Sequence, residues 1–88
     1  MNEKTPTSEL SLYYLKTCPY CIRVLVAMKQ LGLEIRLKNI RKEAAYREEL
    51  IQGGGKPQVP CLRIGEDAQA IWIYESGDIV NFLRTRVA

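Results

Sequence analysis

The sequence predicts an α/β fold, a four-stranded mixed sheet flanked by three helices. Hydrophobic periodicity alternates along the chain between two residues and three to four, in the order strand, helix, strand, helix, strand, strand, helix. No internal repeat and no long linker interrupts that order, and 88 residues support one core but not two. The expected organisation is a flexible N-terminal segment at residues 1–7 and a single domain at residues 8–88.

Residues 8–15 open the pattern as a strand, with Leu10, Leu12 and Tyr14 alternating against Ser11, Tyr13 and Leu15. Both faces are apolar, the mark of an interior strand covered on each side. After Thr17 the spacing becomes helical, with Ile22, Leu25, Met28 and Leu31 as the expected stripe and Gly32 as the stop. Residues 34–40 form a second, more polar strand expected nearer an edge.

Residues 42–52 have helical composition, with Ala45, Leu50 and Ile51 on the expected buried side, and Gly53, Gly54 and Gly55 end the segment. The triple glycine is no phosphate loop: Lys56 is followed by Pro57 instead of Ser or Thr, and no helix starts there. Residues 59–64 and 68–73 read as an antiparallel pair joined by a turn at Gly65, Glu66 and Asp67. Residues 76–84 close the chain as a helix with Ile79, Val80, Phe82 and Leu83 on one stripe.

Composition removes several classes of function. Thirteen basic and ten acidic side chains leave a charge of +3, too small and too scattered for a nucleic-acid footprint. No apolar run approaches the ~18 to 20 residues that span a bilayer, and residues 1–9 lack the apolar middle of a signal peptide, so a cytoplasmic location is expected. There is no histidine, which excludes histidine-type triads. Three cysteines cannot all pair internally, and two of them lie three residues apart, a pattern suited to thiol chemistry in a reducing compartment.

Those two, in Cys18-Pro19-Tyr20-Cys21, fall where the first strand gives way to the first helix. Pro19 suits the first helical position because its missing N–H would have been unpaired anyway. Cys18 then becomes the helix cap, where unpaired N–H groups and the positive end of the helix favour thiolate over thiol. Cys21 lies on the same side of the first turn, close enough to form a disulfide. The exposed cap sulfur is expected to attack and the enclosed one to resolve. Structural zinc is disfavoured, since one further cysteine does not complete the usual four ligands. No metal or tightly bound cofactor is expected.

With this motif the chain resembles a glutaredoxin of the dithiol type over nearly all of residues 8–83, which implies a thioredoxin-like fold. Val59-Pro60 resembles that family's valine and cis-proline facing the cysteines, and implies that the Val59 backbone pairs with the cysteine part of glutathione. The resemblance further implies that Lys56 and Gln52 meet the glycine-end carboxylate. Where the family usually carries a basic residue three before the first cysteine, this chain has Leu15, with Lys16 one place later as the candidate basic residue of the glutathione site. Glu75 and Ser76, with Val59-Pro60-Cys61-Leu62 before them, resemble the N-terminal domain of glutathione transferases. That likeness puts Ser76 at a helix cap, offering its hydroxyl and N–H to the γ-glutamyl carboxylate, with Glu75 or Asp78 for the ammonium group. Tyr20, in the exposed part of the motif, is a candidate substrate contact. Cys61 reads as a buried free thiol, and Trp72 and Tyr74 as packing residues at a strand end.

The implied activity is glutathione-dependent reduction of protein–glutathione mixed disulfides and protein disulfides by a monomer. Glutathione serves as co-substrate, the partners are glutathionylated or disulfide-containing proteins, and neither nucleic acid nor membrane takes part. The alternative is a binding module, a dimer holding an iron–sulfur cluster through Cys18 of each chain and two glutathione thiols.

Overall fold

The first strand, β1 (Leu10–Tyr14), is central to the computed structural model, which describes residues 5–87. It pairs in parallel with β2 (Arg36–Asn39) and antiparallel with β3 (Cys61–Ile64), which pairs antiparallel with β4 (Ile71–Ile73). The order β2-β1-β3-β4 is a four-stranded mixed sheet of the thioredoxin-like kind. A parallel β1–β2 pair needs a crossover, supplied by α1 (Pro19–Leu31). Residues 1–4, within the segment read as flexible, lie outside the described residues. Thr5 bridges Val87, and Thr7–Glu9 forms a single 3₁₀ turn.

Alternation along the strands sends side chains to two cores. Leu10, Leu12 and Leu62 meet Val24, Ala27 and Met28 of α1 together with Ile79, Val80 and Leu83 of α3 (Ser76–Arg86). On the other face Tyr13 and Cys61 pack with Ile40 and Leu50 beside α2 (Ala44–Glu49). Each fully buried Leu, Ile or Val contributes about 1.5–3 kcal/mol. The larger cluster therefore anchors α1, and with it the cysteine motif.

The buried face of α1 is Cys21, Val24, Ala27 and Met28, whereas the sequence pattern pointed to Ile22, Leu25, Met28 and Leu31. Ile22 and Leu31 are exposed. The stripe turns by about one position because Val24, Ala27 and Met28 are the residues that meet both the sheet and α3. Gly32 stops the helix in the left-handed region (φ 68°), with the Gly32 and Leu33 N–H groups donating to the Lys29 and Met28 carbonyls.

Strand β2 lies at the sheet edge, as expected, with its polarity inverted. Leu37 is exposed while Lys38 is buried. Lys38 Nζ donates to Glu49 Oε1 at 2.9 Å, and Tyr13 Oη donates to the same oxygen at 2.8 Å. Burial alone would raise the Glu49 carboxyl, but hydrogen bonds from Lys38 and Tyr13 outweigh it and hold the group below its ordinary value.

The second helix ends sooner than its composition suggests. Beyond Glu49 the chain widens into a π turn, Leu50–Gly54, and Gly55 adopts φ 101°. Ala45 is exposed, and Leu50 carries the burial. A Cβ on Gly53 would collide with the Trp72 indole, and one on Gly54 with the Tyr74 hydroxyl. Gly53 and Gly54 are thus a seat for two aromatic side chains, Trp72 of β4 and Tyr74 just after it.

Candidate active site

Cys18 caps α1 with extended backbone (φ −84°, ψ 121°), and Pro19 occupies the first helical position. The Cys18 carbonyl accepts from Ile22 N–H at 2.9 Å, while Cys18 N–H donates back to the Leu15 carbonyl at 3.3 Å. This tight turn presents the Cys18 thiol, which is partly exposed. Cys21 is wholly buried, and Leu15 N–H points at its sulfur at 3.5 Å. Burial pushes the Cys21 thiol up to about 12, opposed by the Leu15 N–H and assisted by smaller effects of the neighbouring Cys18. One sulfur is therefore accessible and the other is held protonated behind it.

A cavity of about 280 Å³ adjoins the motif, lined by Tyr20, Gln58, Val59, Pro60, Glu75 and Ser76, with Tyr74 as a further wall. The Val59–Pro60 bond is cis. Five site residues expected from the sequence, Tyr20, Val59, Pro60, Glu75 and Ser76, come together around this groove. The helix cap falls on Glu75 (φ −82°, ψ 127°), so Ser76, nearly buried, is the first helical residue and not the cap. Asp78 is exposed in the first turn of α3. Lys16 is exposed between β1 and α1.

Lys56 sits over Tyr74, its Nζ 4.7 Å from the ring centroid, and the Tyr74 hydroxyl donates to the Lys56 carbonyl at 2.9 Å. Gln52 is not brought to this groove. It lines a separate cavity of about 570 Å³ with Glu49, Arg63 and Trp72, and its Nε2 donates to Glu48 at 3.4 Å. Cys61 is buried in the α2-side core; burial pushes its thiol up to about 12, against smaller opposing effects of Tyr74 and Lys56. Tyr74 and Gln58 are groove residues that sequence reasoning passed over. An aromatic residue after a short strand signals packing, and its approach to a distant glycine is visible only in the fold.

A sheet of this order with a dithiol at the start of α1 and a cis-proline beside it defines the thioredoxin-like class of thiol–disulfide oxidoreductases. The glutaredoxin family model matches residues 10–68. Glutaredoxin 3 of Escherichia coli (strain K12) is 36% identical over 64 residues, covering 73% of this chain and 75% of that protein. The chain belongs to the glutaredoxin family, whose members are in general glutathione-dependent thiol oxidoreductases.

Solved structures agree in fold. The glutaredoxin of Archaeoglobus fulgidus superposes with a TM-score of 0.66 at 24% identity, covering 88% of this chain and 87% of that one. A Bombyx mori glutathione transferase gives a TM-score of 0.72 at 20% identity, covering 94% of this chain but 38% of the transferase. Among the described residues, no helix is long and apolar enough to cross a membrane.

Proposed function

We propose that this protein reduces protein–glutathione mixed disulfides through Cys18 alone, and protein disulfides through Cys18 and Cys21 together. The observation that carries the reading is the inequality of the two thiols, one partly exposed at a helix cap and one buried with its proton held. In the first reaction the Cys18 thiolate attacks the glutathione sulfur of the mixed disulfide. A Cys18–glutathione disulfide forms, and the substrate leaves as a thiolate that takes up a proton. The thiolate of a second glutathione then attacks the bound glutathione sulfur, giving glutathione disulfide and restoring the Cys18 thiolate.

With a protein disulfide, attack by Cys18 leaves the substrate joined to it. Cys21 loses its proton and attacks the Cys18 sulfur, closing the internal disulfide and expelling the second substrate thiol. Two glutathiones afterwards return the pair to dithiol. The groove supplies the Val59 backbone for the cysteine part of glutathione, and Ser76 with the N–H groups opening α3 for the γ-glutamyl carboxylate. Glu75 or Asp78 meets the ammonium group, and Lys56 the glycine carboxylate. The protein acts as a monomer in a reducing, cytoplasmic setting.

Turnover of a glutathionylated peptide and of a protein disulfide, measured in parallel in one glutathione buffer, tests the division of labour. Cys18→Ser is expected to abolish both reactions. Cys21→Ser is expected to keep deglutathionylation within about tenfold of the parent while losing protein-disulfide reduction. Loss of both activities in Cys21→Ser, with circular dichroism unchanged, contradicts the reading.

A further inference from the structure

We propose that Tyr74 is the positioning residue that aims the Lys56 ammonium into the glutathione groove, making the site selective for ligands with a free carboxylate at the glycine end. The inference deepens the function proposed above and rests on its assignment of the groove. Tyr74 touches both the groove and Lys56, which does not itself line the cavity. Its ring is one wall of the 280 Å³ cavity. The same ring lies under the Lys56 ammonium at 4.7 Å, within cation–π range. Its hydroxyl donates to the Lys56 backbone carbonyl at 2.9 Å, fixing the main chain at the residue whose side chain the ring holds.

The neighbourhood is shaped for this arrangement. Gly54 leaves open the space that the hydroxyl occupies, because a Cβ there would collide with it. Tyr74 also packs against the buried cluster that contains Cys61. An exposed lysine spends most of its time among many rotamers and gains little from one partner. Laid on an aromatic face with its backbone tied down, it has fewer conformations to lose when an anion arrives. The benefit goes only to a ligand that places negative charge there. Selectivity for the free carboxylate therefore measures the positioning itself, beyond whatever packing Tyr74 also provides.

The probes are S-methylglutathione, which has no free thiol, and its glycine ethyl ester, which lacks the terminal charge. Their dissociation constants are measured by calorimetric titration of the reduced protein. The unmodified protein is expected to bind the acid about fivefold more tightly than the ester. Lys56→Met is expected to bring the ratio to about one, and Tyr74→Leu likewise, whatever the loss of this groove wall does to the affinity for the ester. Tyr74→Phe, which keeps the ring and the packing, is expected to fall between. Parallel weakening of acid and ester in Tyr74→Leu would show a packing role and overturn the proposal, as would a ratio near one in the unmodified protein. Because the probes do not react, a failure confined to this proposal leaves turnover of glutathionylated peptide intact. Absence of binding by both probes overturns the groove assignment as well.

Discussion

At the scale of single residues, the chemistry depends on two thiols of one motif having different surroundings. Cys18 has extended backbone and partial exposure, whereas Cys21, three residues on, points into the protein beneath the turn closed by Leu15. A thiol pushed up to about 12 is almost entirely protonated near neutrality and is a poor attacking group until the structure around it changes. Cys61 is equally buried and shifted to the same region. Iodoacetamide labelling of the reduced protein at pH 8, followed by peptide mass, is therefore expected to modify Cys18 first. Cys21 and Cys61 should lag by at least about a hundredfold, and their rates should climb about tenfold per pH unit between pH 7 and 9 as their thiolate fractions grow. Labelling of Cys21 at the rate of Cys18 would show that burial does not separate them.

At the scale of elements, the segment between α2 and β3 shows how sequence alone is read and misread. The three glycines were legible as the end of a helix, but their reason was not: Trp72 and Tyr74, about twenty residues later, occupy the space that side chains at Gly53 and Gly54 would need. Gly53→Ala and Gly54→Ala are each expected to destabilise the fold by about 1–3 kcal/mol in urea denaturation, since their neighbours are large packed rings. Gly77, in α3 with nothing within 4 Å of an added Cβ, is the contrast, and Gly77→Ala should be neutral or stabilise by up to about 1 kcal/mol. Equal losses at all three positions would contradict the packing account. The order of elements, the edge position of β2 and the start of α1 were legible because periodicity, Pro19 and Gly32 are local signals. The face of α1, the burial of Lys38 and the placement of Gln52 were not, because each depends on a partner distant in sequence: the α3 face, Glu49, and the second cavity.

At the scale of the whole molecule, most of the shifted groups share one dependence on pH. Cys21 and Cys61 are acids whose values rise on folding, from 9.0 to about 12, so the folded chain keeps protons that the unfolded chain releases. Their stabilising contribution is complete below the unfolded value and is lost as pH rises towards the folded one. Tyr13, raised chiefly by burial, and Lys38, raised by Glu49 and Tyr13 against burial, act in the same direction at higher pH. Glu49 alone acts on the acid side: its lowered carboxyl contributes fully above the unfolded value and less as pH falls through the folded one. Stability should therefore be level between about pH 5 and 8 and fall steeply on the alkaline side. Between pH 9 and 10, where tyrosine and lysine are only beginning to titrate, each buried thiol is expected to cost about 1 kcal/mol. Cys61→Val keeps an apolar side chain of similar size in the α2-side core and should lie within about 1.5 kcal/mol of the parent at pH 7. Urea denaturation in the presence of a reductant, repeated across this range, should show the alkaline slope of Cys61→Val reduced to roughly half. An unchanged slope would mean that the Cys61 thiol ionises as readily in the folded chain as in the unfolded one, and that its burial is not what the alkaline loss of stability reports.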